Sequence, residues 1–148
     1  MEQLILSLGS NSSDRLTKIK QACDLIQKHI GTIELQSDII QTKPWGFESE
    51  NDFLNSAVSL YTNLTARQCL SKIHEIESLL GRTRSGSAGY EDRCIDIDIL
   101  FYGQQIINEK DLTVPHPLLH VRDFVLTPLK QIVPQFEHPV FKKKIEEL

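Results

Sequence analysis

The chain has 148 residues, of which 40% are hydrophobic and 24% charged, with a formal net charge of −4. That length predicts one domain over residues 1–148, with a core large enough to fold without staples, and the composition argues against disorder. The acidic balance argues against a general nucleic-acid binder, and no run approaches the ~20 apolar residues of a membrane span. Met1-Glu2-Gln3 does not open a signal peptide. Cys23, Cys69 and Cys94 are odd in number and far apart, without C-x-x-C spacing. They argue against a disulfide framework or a structural zinc site, Cys23 and Cys69 on apolar helix faces read as buried filler, and a reducing, cytoplasmic compartment is expected.

In chain order, Leu4-Ile5-Leu6-Ser7-Leu8 reads as a buried strand that ends at the turn-rich Gly9-Ser10-Asn11-Ser12-Ser13. Leu16, Ile19, Cys23, Ile26 and Ile30 recur at helical spacing, with Ser13 or Asp14 as N-cap and Gly31 as the stop. Residues 32–42 read as one strand, and the segment from Thr42 through Pro44, Trp45 and Phe47 to Asp52 as a long loop, because Pro44 cannot donate to a ladder. Phe53–Tyr61 predicts a further strand. Thr65 caps a second helix with Ala66, Cys69, Leu70, Ile73, Ile76 and Leu80 facing inward, closed by Gly81.

Residues 82–94 hold no apolar periodicity, and Cys94–Tyr102 follows as the strongest strand signal. Gly103-Gln104-Gln105 predicts a hairpin from that strand to Ile106-Ile107. Pro115-His116-Pro117 breaks the backbone. A third helix is expected from Val121 or Asp123 to Gln131, spanning Pro128, and a short terminal helix within Phe141–Leu148. Strand, helix, strand, strand, helix, strand is the order of a ferredoxin-like α+β unit. The expectation is an antiparallel sheet with helices packed on it in three layers, α/β/α.

Asp96 and Asp98 leave one face of their strand while Ile95, Ile97 and Ile99 leave the other, with Cα atoms of the two aspartates about 6.5–7 Å apart. Like charges there repel unless a cation offsets them, so the pair reads either as ligands for hard cations or as a solvated acidic face. Arg82, Arg84 and Arg93 stand just before the pair, separated by the flexible Ser85-Gly86-Ser87-Ala88-Gly89. Arginine forks fit phosphate oxygens, so loop and carboxylates together match the parts of a phosphoryl-transfer site; a basic loop paired to Glu91 and Asp92 is the alternative. Neither G-x-x-x-x-G-K-[ST] nor a kinase-type G-x-G-x-x-G is present. His116, stiffened between prolines, suits a phosphate or nucleotide contact, whereas His29, His74, His120 and His138 read as surface or capping residues. Trp45, Phe47 and Phe53 suit either loop anchoring or the sandwiching of a flat heterocycle whose edge Asn55 would read.

The ordered blocks Leu8-Gly9-Ser10-Asn11, Phe53-Leu54-Asn55, Gly81-Arg82-Thr83-Arg84, Arg93–Leu100, Leu112–Pro117 and Arg122–Leu126 with Pro128-Leu129 strongly resemble the 6-hydroxymethyl-7,8-dihydropterin pyrophosphokinase family, over nearly the whole chain. The resemblance implies a ferredoxin-like, Mg²⁺-dependent transferase of folate biosynthesis. Such an enzyme moves the pyrophosphoryl group of ATP to the pterin's hydroxymethyl oxygen and releases AMP, with two Mg²⁺ ions and ATP as co-substrate. By the same resemblance Asp96 and Asp98 hold both metals, and Arg82 and Arg93 join them as catalytic residues. Arg82, Arg84, Arg93, Ile99, Thr113, His116 and Arg122 lie along ATP. Gly9, Thr42, Pro44, Trp45, Phe53, Asn55 and Phe124 shape the pterin pocket. The implied partners are these small molecules alone, with a monomeric chain, no nucleic acid and no membrane. The chain departs from the family pattern at Ala88-Gly89-Tyr90-Glu91-Asp92-Arg93, which lacks one loop arginine, and at Phe53, Lys43 and Pro117.

Overall fold

A computed structural model describes residues 1–43, 52–81 and 95–148. Chain order gives β1 (Glu2–Ser10), α1 (Arg15–His29), β2 (Thr32–Gln36), β3 (Ile40–Thr42), β4 (Phe53–Thr62), α2 (Ala66–Leu79), β5 (Asp96–Tyr102), β6 (Ile107–Glu109), β7 (Leu112–Val114) and α3 (Asp123–Ile132). The main sheet is antiparallel in the order β2-β4-β1-β5, with β3 pairing the other end of β4. Placing the first and third long strands at the centre is the ferredoxin-like arrangement expected from the element order.

Both faces of the sheet are covered, so β1 is apolar on both. Leu4, Leu6 and Leu8 pack with Ile19, Cys23 and Ile26 of α1 and Cys69, Ile73 and Ile76 of α2. Ile5 and Phe101 pack on the opposite face with Val125, Leu126 and Leu129 of α3. The layers are therefore α1/α2, sheet and α3. Burial pushes the thiols of Cys23 and Cys69 up to about 11, in keeping with the filler role the sequence predicts. Ile5 opposes Phe101 and Leu6 opposes Ile99, so Leu100 is an extra residue in β5, buried in the α3-side core.

Local chemistry sets the joints. Thr65 caps α2 with a capping box: its hydroxyl accepts from the Gln68 amide at 3.1 Å, and its own amide donates to the Gln68 side chain at 2.9 Å. Gly31 lies against β4 so closely that a Cβ would sit 2.1 Å from the Tyr61 carbonyl oxygen, which excludes any side chain there.

Four expectations change. Residues 32–42 form two strands, because Ser37 leaves the extended ladder and its hydroxyl accepts from the Ala57 amide at 2.8 Å while its amide donates to the Ala57 carbonyl at 2.9 Å. The hairpin after β5 joins β6 to β7 across Lys110-Asp111, with Ile107 opposite Val114; Ile106-Ile107 does not pair with β5. The outer edge of β5 meets other partners, the Glu77 carboxylate on the Ile97 amide and the His116 amide on the Leu100 carbonyl. The tail forms only one 3₁₀ turn, Ile145–Glu147. Its neighbour His138 is buried rather than superficial, stacked on Phe141 with centroids 4.1 Å apart. α3 does run through Pro128, to Ile132. Among the described residues no helix is long and apolar enough to cross a membrane.

Candidate active site

The site grows from the register of three neighbouring strands, β4, β1 and the edge strand β5. Gly9 of β1 faces Asn55 of β4 on one side and Asp96 of β5 on the other, and Ser7 faces Asp98. Paired residues share a sheet face, so Asn55, Gly9 and Asp96 form one row, with Asp98 one pleat repeat further along β5. Adjacent strands lie about 4.8 Å apart, which puts the Asn55 and Asp96 backbones about 10 Å from each other.

On the β4 side, Ile40 of β3 extends the row and Thr42 pairs with Phe53. The buried Asn55 amide donates to the Thr42 hydroxyl at 2.7 Å, which fixes its orientation. A Cβ on Gly9 would come 2.9 Å from Asn55 Oδ1 and 3.7 Å from the Phe53 ring. Gly9 therefore keeps any side chain of its own off the Asn55 carbonyl. Phe53 and Phe124 are both half-buried, and the Arg122 guanidinium carbon stands 5.7 Å from the Phe124 ring centroid, a cation–π distance at the start of α3.

On the β5 side a groove runs along the edge strand. Asp96, Asp98 and Ile99 line it from β5, Leu70, His74 and Glu77 from α2, Lys110 and Thr113 from the β6–β7 hairpin, and His116 from the turn beyond. The Ile99 side chain also belongs to the α1/α2-side core. His116 is held at both ends: its amide donates to the Leu100 carbonyl at 3.0 Å, and its Nδ1 accepts from the Leu118 amide at 3.1 Å. Burial pushes this imidazole down to about 4, the nearby Arg122 charge adds to the effect, and Asp96 opposes it. At neutral pH the ring is uncharged, with Nδ1 accepting and its proton on Nε2.

The structure thus brings together Gly9, Thr42, Phe53 and Asn55 in one place and Asp96, Asp98, Ile99, Thr113 and His116 in the groove beside it. Pro44, Trp45, Arg82, Arg84 and Arg93 lie outside the described residues, as does the 85–89 segment. Glu77, His74 and Lys110 line the groove without having been singled out from sequence. Glu77 was visible in principle: it stands beside Ile76 and four residues after Ile73 on the inward stripe of α2, where a carboxylate needs a partner. Its Oε2 accepts from the Ile97 amide at 3.0 Å while the residue is only 1% exposed. His74 and Lys110 carried no such signal.

Among the described residues no three His, Cys, Asp or Glu side chains converge as a complete metal cage. The half-buried Asp96 and Asp98 supply hard oxygen donors to the groove. Such a pair fits Mg²⁺, which takes one or two carboxylates and completes its octahedron with water and substrate phosphates.

A three-layer ferredoxin-like sheet with a carboxylate pair in the groove along its edge defines a small α+β protein with a cleft of hard oxygen donors. A model of the 7,8-dihydro-6-hydroxymethylpterin-pyrophosphokinase (HPPK) family matches residues 5–134, and the chain belongs to that family. It is 39% identical over 147 residues to the 2-amino-4-hydroxy-6-hydroxymethyldihydropteridine pyrophosphokinase of Aquifex aeolicus, covering 99% of this chain and 90% of the relative. The Porphyromonas gingivalis protein of the same name is 40% identical over 94% of this chain and 95% of its own length. In structure, the chain resembles the Plasmodium falciparum HPPK-DHPS wild type with pteroate at a TM-score of 0.80 and 17% identity, covering 98% of this chain and 41% of that one. That likeness shows the fold, and the chain spans about two fifths of the length of that protein.

Proposed function

We propose that residues 1–148 act as one pyrophosphokinase domain, with the edge groove holding ATP and the Gly9–Asn55 side holding the pterin. Family membership and the names of relatives about 40% identical support the reaction: pyrophosphoryl transfer from ATP to 6-hydroxymethyl-7,8-dihydropterin in folate biosynthesis. The observation that carries the assignment to residues is the single row Asn55–Gly9–Asp96, which sets a heterocycle-reading amide and a metal-type carboxylate on one face about 10 Å apart.

In this reading Asn55, held by Thr42, reads the pterin edge through the carbonyl beside Gly9, and Phe53 and Phe124 stack on the ring. Asp96 and Asp98 would hold two Mg²⁺ ions. When bound, Mg²⁺ supplies neutralisation of phosphate charge and polarisation of the attacking hydroxyl. Ile99 and Thr113 face the adenine side, and neutral His116 donates through Nε2 to the phosphates, where Arg122 adds a fixed positive charge. Arg82, Arg84 and Arg93 complete the phosphate contacts, with Arg82 and Arg93 stabilising charge in the transition state, and Pro44 and Trp45 complete the pterin pocket. The hydroxymethyl oxygen bonds to the β-phosphorus as the bond from that phosphorus to the α,β-bridging oxygen breaks, releasing AMP, and the hydroxyl proton passes to solvent water. Catalysis rests on positioning and on electrostatics in place before reaction. The chain works as a cytoplasmic monomer without protein or nucleic-acid partners.

An assay of AMP release tests the assignment. AMP formed from ATP and Mg²⁺ only when 6-hydroxymethyl-7,8-dihydropterin is present is the expected result. AMP formed equally with unrelated alcohols would instead make this a different phosphoryl transferase on the same platform.

A further inference from the structure

The β6–β7 hairpin forms one wall of the groove through Lys110, Asp111, Leu112 and Thr113, and its two ends are secured very differently. Leu112 and Val114 seat β7 in the α1/α2-side core, with Ile107 packed against it. Residues 108–111 at the tip are all exposed and contribute nothing to that core. What fastens the tip is Arg67, in the first turn of α2. Its guanidinium donates two hydrogen bonds of 2.9 Å to the two carboxylate oxygens of Asp111, and a further one to Glu109. This fork-to-carboxylate geometry fixes orientation as well as distance. The two acids hold the Arg67 charge more firmly, and Arg67 in turn holds the Asp111 carboxyl below the usual carboxylate range.

We infer that Arg67 is a positioning residue for the nucleotide: by clamping Glu109 and Asp111 at the hairpin tip to α2, it sets the separation between the hairpin wall and the α2 wall of the ATP groove. Arg67 itself does not line the groove. Because α2 also carries Leu70, His74 and Glu77 on the opposite wall, one ion-pair cluster joins both sides of the cleft. The clamp concerns nucleotide affinity and leaves the pterin side, built on β3 and β4, untouched. The inference rests on the assignment of the groove to ATP.

The test measures binding of a non-hydrolysable ATP analogue with Mg²⁺ by titration calorimetry, alongside steady-state kinetics, for the wild type, Arg67→Met and Glu109→Gln. Both variants should weaken nucleotide binding by about three- to tenfold, the scale of a networked surface ion pair, with kcat at saturating ATP and the pterin KM unchanged. Glu109→Gln is decisive because a merely long-range charge effect has the opposite sign: removing a negative charge would tighten binding of an anion. Tighter binding by Glu109→Gln, unchanged binding by either variant, or a parallel loss of pterin affinity and thermal stability would overturn the inference. A wild type that binds no nucleotide would overturn the ATP assignment and the clamp with it, a result distinct from variants that bind as well as the wild type.

Discussion

Gly9 has no side chain at a point where one would crowd Asn55. Its Cα lies between Asn55 and Asp96 in the sheet row, and a Cβ there would come 2.9 Å from the Asn55 carbonyl oxygen. A larger residue would cover that acceptor and push on Phe53. We expect Gly9→Val to raise the pterin KM by at least about tenfold, the scale of losing one hydrogen bond from a buried polar group, while the ATP KM changes little. Steady-state kinetics with each substrate varied would check this, and equal changes in both constants would contradict it. The role of Gly9 was legible only through the Leu8-Gly9-Ser10-Asn11 block, because a glycine after a strand is by itself a turn signal. Glu77 left a local signal instead: it stands on the inward stripe of α2, where a carboxylate needs a partner, and its carboxylate accepts from the Ile97 amide at the groove edge.

Among the elements, β5 was the most legible, since Ile95, Ile97 and Ile99 alternate with Asp96 and Asp98 and only a strand puts both carboxylates on one face. The α2 boundary was equally plain, as Thr65 and Gln68 stand in capping-box spacing. Replacing Thr65 by Ala should lower the melting temperature by about 2–4 °C, for a cap worth about 1 kcal/mol in a chain of this size. Thr65→Ser, which keeps the accepting oxygen, should recover most of that loss in a thermal scan. The division of residues 32–42 was not legible. It depends on Ser37 reaching the Ala57 amide, a contact between residues 20 apart that no local pattern encodes. The β6–β7 hairpin was misplaced for a similar reason, because the outer edge of β5 meets Glu77 and the His116 backbone, which come from distant parts of the chain.

At the scale of the molecule, one buried histidine, His138, and one half-buried histidine, His116, link stability to pH. Burial lowers His138 below the usual histidine range, with His120 adding to the effect, and takes His116 down to about 4. His138 Nδ1 accepts from the Val140 and Phe141 amides at 3.1 Å each, bonds that need an unprotonated nitrogen. Each ring binds a proton more readily in the unfolded chain than in the folded one, so their contribution to stability is complete above about pH 6.5 and is lost as the pH falls toward the folded values. Urea unfolding should therefore show a lower midpoint at pH 5.5 than at pH 7.5, and His138→Gln, which does not titrate, should reduce that difference. A midpoint independent of pH over this range would contradict the linkage.

The whole molecule also explains why a net charge of −4 misleads about the site. The sum averages an arginine-rich segment with an acidic pair, whereas the fold sets Asp96 on the row of Asn55 and Asp98 one pleat repeat further along β5. The most direct test of that placement is AMP formation from ATP and 6-hydroxymethyl-7,8-dihydropterin, across a Mg²⁺ titration, by Asp96→Ala and Asp98→Ala. Each variant should stay folded and lose at least about a thousandfold in turnover, the scale of several kcal/mol of metal-borne charge stabilisation. Near-normal turnover by either variant, at the wild-type Mg²⁺ requirement, would show that the reaction does not run through this pair.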